Sequence, residues 1–180
     1  MDKEEVPEKT FRRGLLGTIA KYFGYLVLFV VALQLGQLWL QRDAVFGSAP
    51  EISSVDLAGS RVSLQDYRGK PLLLYFWASW CPVCRFEHGA ITAIAEDYQV
   101  LGIALQSGSP ADVVSHMQEH EAIYRVINDP EGALGSLYGI RGVPTMFLLD
   151  AEGNIQTALS GFTSGLSIRL RMWWLSRQQE

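Results

Sequence analysis

Cysteine is nearly absent from this chain. Two of the 180 residues are cysteine, Cys81 and Cys84, and both fall in Trp80-Cys81-Pro82-Val83-Cys84. No separate disulfide framework can therefore exist. Positive charge is scarce beyond the first quarter. From residue 43 onward nine Lys and Arg stand against fifteen Asp and Glu, a net of −6. Such a segment has no electrostatic footprint for nucleic acid or anionic lipid. There is no internal repeat and no low-complexity stretch. From Tyr22 to Leu40 there is no charge at all.

That uncharged run is mostly apolar and spans roughly 28 Å as a helix at about 1.5 Å per residue, close to the hydrocarbon thickness of a bilayer. Tyr22, Tyr25 and Trp39 lie near its ends, where aromatic rings favour the interface. A buried core helix would need a partner layer, and residues 1–21 are too polar to supply one. A cleaved signal peptide would have a shorter apolar region ending near a small-x-small site. We therefore expect a cytoplasmic tail over 1–21, a single transmembrane anchor over 22–41, a linker over 42–50 and a globular domain over 51–180. Lys3, Lys9, Arg12, Arg13 and Lys21 precede the anchor and only Arg42 closely follows it. The positive-inside rule puts the tail in the cytoplasm and the domain outside it.

Strand and helix signals alternate through the domain. Ile52 to Asp56 and Arg61 to Leu64 read as a hairpin across Ala58-Gly59-Ser60. Leu72 to Trp77 is a continuous apolar run, as a buried central strand requires. Pro82 to Tyr98 reads as helix, Val100 to Leu105 as strand, and Ser109-Pro110 opens a helix to about Glu121. A short strand over Tyr124 to Asn128 and a short helix over Glu131 to Tyr138 follow. Thr145 to Asp150 and Asn154 to Leu159 form a second hairpin, and Ser164 to Ser176 a terminal helix. This alternation predicts an α/β fold with a central sheet covered on both faces.

The thiol pair lies where strand gives way to helix. Unpaired N–H groups at a helix N-terminus favour a thiolate over a thiol, and the thiolate is the nucleophile of disulfide exchange. A purely structural bridge would close too short a loop to stabilise the fold much.

Phe76-Trp77-Ala78-Ser79-Trp80-Cys81-Pro82-Val83-Cys84 resembles the active-site stretch of thioredoxins, and Arg141-Gly142-Val143-Pro144-Thr145 resembles their cis-proline loop. Cys81-Pro-Val-Cys84-Arg85-Phe86-Glu87 is similar to the pattern of the membrane-anchored TlpA/ResA/CcmG group. Sixty positions separate Cys84 from Pro144, and the group's strand-plus-helix insertion would fill part of them within 106–130. Together with the anchor and the acidic domain, the motif looks most like the suppressor-of-copper-sensitivity D type of that group. The resemblance covers about residues 50–175.

It implies a thioredoxin-like fold, a central mixed sheet with helices on both faces, and a periplasmic thiol:disulfide oxidoreductase tethered to the inner membrane. Cys81 would be the exposed nucleophile, Cys84 the buried resolving thiol and Pro144 a cis proline. Trp80, Pro82, Val83, Val143 and Thr145 would form the docking surface. Thioredoxins carry a buried aspartate at the position of Tyr75, so Glu87 becomes the candidate for tuning the thiols, against a solvated helix carboxylate. The kink proline of the helix is replaced by Gly89. No cofactor is implied beyond the dithiol, and no metal. Implied partners are disulfide-containing periplasmic proteins and a DsbD-like transmembrane electron donor, with roles in copper tolerance or cytochrome maturation. An alternative is a copper-binding or copper-delivery module using the two thiolates.

The histidines are read more plainly. His88, four residues after Cys84, is expected to be an exposed helix histidine. His116 and His120, spaced i, i+4 around Glu119, lack a further metal ligand in sequence. Met117, Phe162, Trp173 and Trp174 are expected to pack in the core or between helices.

Overall fold

The computed structural model describes residues 21, 22, 24–29, 31 and 47–178. The chain divides into two units, Met1–Arg42 and Asp43–Glu180. In the first, the described residues are helical and exposed. The expected tail, Lys21 excepted, and most of the expected anchor, 22–41, lie outside the described residues. Among those described, no helix is long and apolar enough to cross a membrane.

In the second unit six strands form one sheet in the order β1 (Gly47–Ser48), β8 (Asn154–Ser160), β7 (Thr145–Leu149), β4 (Leu72–Trp77), β5 (Gln99–Leu105), β6 (Arg125–Asp129). Its centre is β4 (Leu72–Trp77), every residue of which is buried. This strand pairs parallel with β5 (Gln99–Leu105) and antiparallel with β7 (Thr145–Leu149), so the sheet is mixed. β6 (Arg125–Asp129) extends it beyond β5, and β8 (Asn154–Ser160) beyond β7. Side chains alternate across β4 with the period of two that a strand imposes. Leu73, Tyr75 and Trp77 enter one core with Cys84, Ile91 and Ile94. Leu72, Leu74 and Phe76 enter another with Ile52, Tyr138 and Phe147. A run apolar at every position is the signature of a strand with a core on each side.

Helices α1 (Pro82–Ala95), α2 (Pro110–Glu119) and α4 (Gly165–Arg177) contribute to the first core. The opposite face is covered by α3 (Ala133–Leu137) and by the hairpin β2 (Ser53–Val55)–β3 (Arg61–Ser63) with its following 3-10 turn. The Asp56 carboxylate closes the hairpin turn, accepting from the N–H groups of Ala58 and Ser60. Its second oxygen takes Arg125 Nε at 2.7 Å, which joins the hairpin to β6.

Elements fall where the sequence places them, with shifts at their ends. α1 stops three residues short of Tyr98, because the Asp97 and Tyr98 N–H groups turn back onto the Ile94 carbonyl. It runs through Gly89 without interruption. Gly47 and Ser48, inside the stretch read as linker, form β1 on the edge of β8, and Ala49 is buried behind them. The 106–130 interval holds α2 and β6, a helix and a strand. Gly102 on β5 answers a close approach: a Cβ there would stand 2.7 Å from Tyr124 Cε2 and 3.1 Å from Trp77 Nε1.

Candidate active site

β4 ends at Trp77, and four residues later Cys81 caps α1. Its sulfur accepts the Cys84 N–H at 3.2 Å. Pro82 takes the first helical position, where a missing N–H costs nothing. Cys81 and Cys84 are joined as a disulfide. Cys84 is fully buried, and Cys81 is only 4% exposed. The expectation of an exposed Cys81 is thus corrected for the oxidised state: the carbonyl oxygen of Val143 lies 3.7 Å from its sulfur and helps cover it. Cys81 remains the more accessible of the two.

The Val143–Pro144 peptide is cis. Pro144 is buried, and Val143 is half-buried above the disulfide. Thr145 departs from its expected docking role. Its side chain is buried, and its hydroxyl donates to the Gly142 carbonyl at 2.8 Å, so it braces the loop from within. Trp80 is 60% exposed and donates from Nε1 to the Gln106 carbonyl at 3.2 Å. The Ser79 N–H donates to Ser107 Oγ, which fixes the same loop. With Pro82 and Val83, both exposed, Trp80 forms an open apolar rim beside the sulfurs.

One turn of α1 beyond Cys84 lies a buried carboxyl group. Glu87 is 1% exposed, which excludes the solvated-carboxylate reading. Oε1 accepts the Thr163 N–H at 2.8 Å and Oε2 accepts the Tyr75 hydroxyl at 3.3 Å. Burial raises its pKa above the usual carboxylate range, and the two hydrogen bonds act in the opposite sense. Tyr75 itself is pushed up by burial, so it stays a neutral donor. An acid thus stands against the Tyr75 position after all, supplied from α1, three residues and one turn beyond Cys84.

His88 is not exposed. It is fully buried, its Nδ1 lies 2.7 Å from Tyr124 Oη, and its ring meets Trp77 edge-on. Burial above all, then the neighbouring His116 and His120, lowers its pKa to about 4. The helix period carried this signal: Cys84, His88 and Ile91 share the buried face. Phe162, Trp173 and Trp174 are likewise corrected; they are 69%, 50% and 56% exposed, while Met117 is buried as expected. The sequence reading also missed Phe86, at 83% the most exposed aromatic among the described residues.

The reactive bond here is the Cys81–Cys84 disulfide itself, delivered at a helix N-terminus by a thioredoxin-like sheet, and the class so defined is a thioredoxin-fold oxidoreductase. The chain belongs to the AhpC/TSA family, whose model matches residues 45–158. It is 37% identical over 136 residues to a thioredoxin-like protein of Haemophilus influenzae, covering 73% of this chain and 81% of that protein. It is 33% identical over 132 residues to the thiol:disulfide interchange protein DsbE of Pseudomonas aeruginosa, covering 69% and 73%. Among solved structures, a thioredoxin-family thiol:disulfide interchange protein of Chlorobium tepidum superposes with a TM-score of 0.63 at 28% identity, covering 74% of this chain and 98% of that one. The protein is therefore a thiol:disulfide oxidoreductase whose redox-active disulfide is Cys81–Cys84.

Proposed function

We propose that this protein is a periplasmic, membrane-tethered reductase of protein disulfides. The observation that carries the reading is a buried carboxyl, Glu87, one turn of α1 beyond Cys84 and bonded to the Tyr75 hydroxyl and the Thr163 N–H, with its pKa raised by burial. A carboxyl held one turn from the deeper thiol is suited to take that thiol's proton. In the reduced enzyme the Cys81 thiolate attacks a substrate disulfide. One substrate S–S bond breaks, a mixed disulfide to Cys81 forms and a substrate thiolate leaves. Glu87 takes the Cys84 proton. The Cys84 thiolate then attacks Cys81 Sγ, the mixed disulfide breaks, and the second substrate thiolate leaves. Two electrons have passed to the substrate, and the enzyme holds its disulfide.

Val143 and the cis Pro144 would receive an extended substrate backbone. Trp80, Pro82 and Val83, with Phe86 beside them, would form the apolar platform. The dithiol needs a two-electron donor to return, and a DsbD-like transmembrane carrier fits an anchor over 22–41 with the domain outside the cytoplasm. The anchor, the acidic domain and the Trp-Cys-Pro-Val-Cys motif support the suppressor-of-copper-sensitivity D type, with substrates in copper tolerance or cytochrome maturation.

The test is the redox state of the pair in cells, fixed by acid quench and read by thiol alkylation and gel shift. A mostly reduced pair is expected. A mostly oxidised pair would overturn the reductase direction and leave an oxidase.

A further inference from the structure

All three histidines of the chain meet in one place. His116 and His120 lie on one side of α2 and its cap, with ring centres 4.5 Å apart. His88, from α1, stands 5.4 Å from the first and 5.9 Å from the second. Trp77 stacks on His116 and meets His88 edge-on. The cluster is also where polar pairing fails. Nε2 of His88 and Nε2 of His116 are buried without a hydrogen-bond partner, two of the few such atoms among the described residues. A buried polar atom without a partner costs about 1–3 kcal/mol, so two unpaired imidazole nitrogens on neighbouring rings call for something that fills them.

A metal ion has the right size and chemistry. One nitrogen each from His116 and His120 and one carboxylate oxygen of Glu119 lie within 4.8 Å of one another. Metal–ligand bonds of about 2.0–2.2 Å put the donors of one ion at most about 4 Å apart, so small side-chain rotations close the site. Three imidazoles arranged tetrahedrally about a zinc-sized ion have ring centres about 5 Å apart, given Zn–N bonds of about 2.0–2.1 Å. The ring spacings here bracket that value. His88 already has its Nδ1 engaged by Tyr124 Oη, as the second nitrogen of a ligating histidine normally is. Glu119 is exposed and leaves an entry path.

We propose that His116, Glu119 and His120, whose donors already lie together, form a binding site for one divalent transition-metal ion of the zinc type, which His88, outside that donor group, completes when the ion binds. Imidazole and carboxylate donors suit Zn²⁺, Cu²⁺ and Ni²⁺ rather than the Cu(I) that thiolates select. The site is separate from the thiol pair, so it exists with the disulfide closed. It shares α1 with the redox centre, since His88 follows Cys84 by one turn, and it does not depend on the direction of electron flow.

The experiment is isothermal titration calorimetry of the full-length oxidised protein with zinc chloride, after confirming that no free thiol remains. Oxidation removes the thiolates as competing ligands. One ion per chain is expected, with binding weakened more than about tenfold in His116→Gln and in His120→Gln. His120 is only half-buried, so His120→Gln keeps the test valid if a core variant fails to fold; circular dichroism checks each variant. Absence of a saturable one-to-one heat, or binding unchanged in folded His120→Gln and His116→Gln, would overturn the proposal.

Discussion

Glu87 sets two demands against each other. Its carboxyl sits in the core, and burial favours the protonated form, so its pKa in the folded protein is raised. A group shifted in this sense contributes stability that is fully present below its ordinary value of 4.5. That contribution is lost as pH rises through the folded value. Glu87→Gln keeps an acceptor for the Thr163 N–H and removes the titration. In urea melts the variant is expected to exceed the native protein in stability at pH 8 and to match it near pH 4. Its exchange rate at neutral pH is expected to fall by about 10²-fold, the ordinary loss of a general base. An equal rate would show that Glu87 only packs. At this scale the sequence was partly legible. The Cys-x-x-Cys pair, the proline before Thr145 and the carboxylate after the second cysteine are local signals. The burial of His88 was not read, because a polar residue in an apolar stripe signals burial only when its partner is known. That partner, Tyr124, lies 36 positions away.

The elements hold these residues by cooperating across the sheet. β4 delivers Tyr75 and Trp77 to the face where α1 places Cys84, Glu87 and His88, and neither element alone makes the Tyr75–Glu87 hydrogen bond. α2 is fixed by a capping box. Ser109 Oγ accepts the Asp112 N–H, and the Asp112 carboxylate accepts the Ser109 N–H at 2.8 Å. Ser109→Ala is expected to cost about 1 kcal/mol in denaturant unfolding. Exchange activity should be unchanged, since the lost cap bonds run between Ser109 and Asp112 and involve no group of the thiol loop. A loss of activity at unchanged stability would contradict this separation. Element type was legible almost throughout, since β4 is a pure apolar run and α2 opens on Ser-Pro. Ends were less so. The stop of α1 at Ala95 depends on a turn around the Ile94 carbonyl, and β1 exists only because β8 offers its edge. Exposure of Trp173 and Trp174 was illegible for a related reason: α4 packs through Ile168, Met172 and Leu175, and nothing in its sequence says that one face suffices.

For the molecule as a whole, the mixed sheet, the cis-proline loop and the capped helix converge on one asymmetric disulfide. Cys81 caps the helix and borders the apolar rim, whereas Cys84 is fully buried within α1, one turn before Glu87. Attack by Cys81 and resolution by Cys84 is the order proposed, and it fixes which single variant must trap substrate. The decisive measurement is the pattern of mixed disulfides formed by Cys84→Ser and by Cys81→Ser in cells, separated on non-reducing gels. Cys84→Ser is expected to accumulate covalent adducts that a reductant releases, and Cys81→Ser to accumulate none. Adducts on Cys81→Ser alone, or in equal measure on both, would contradict the assignment.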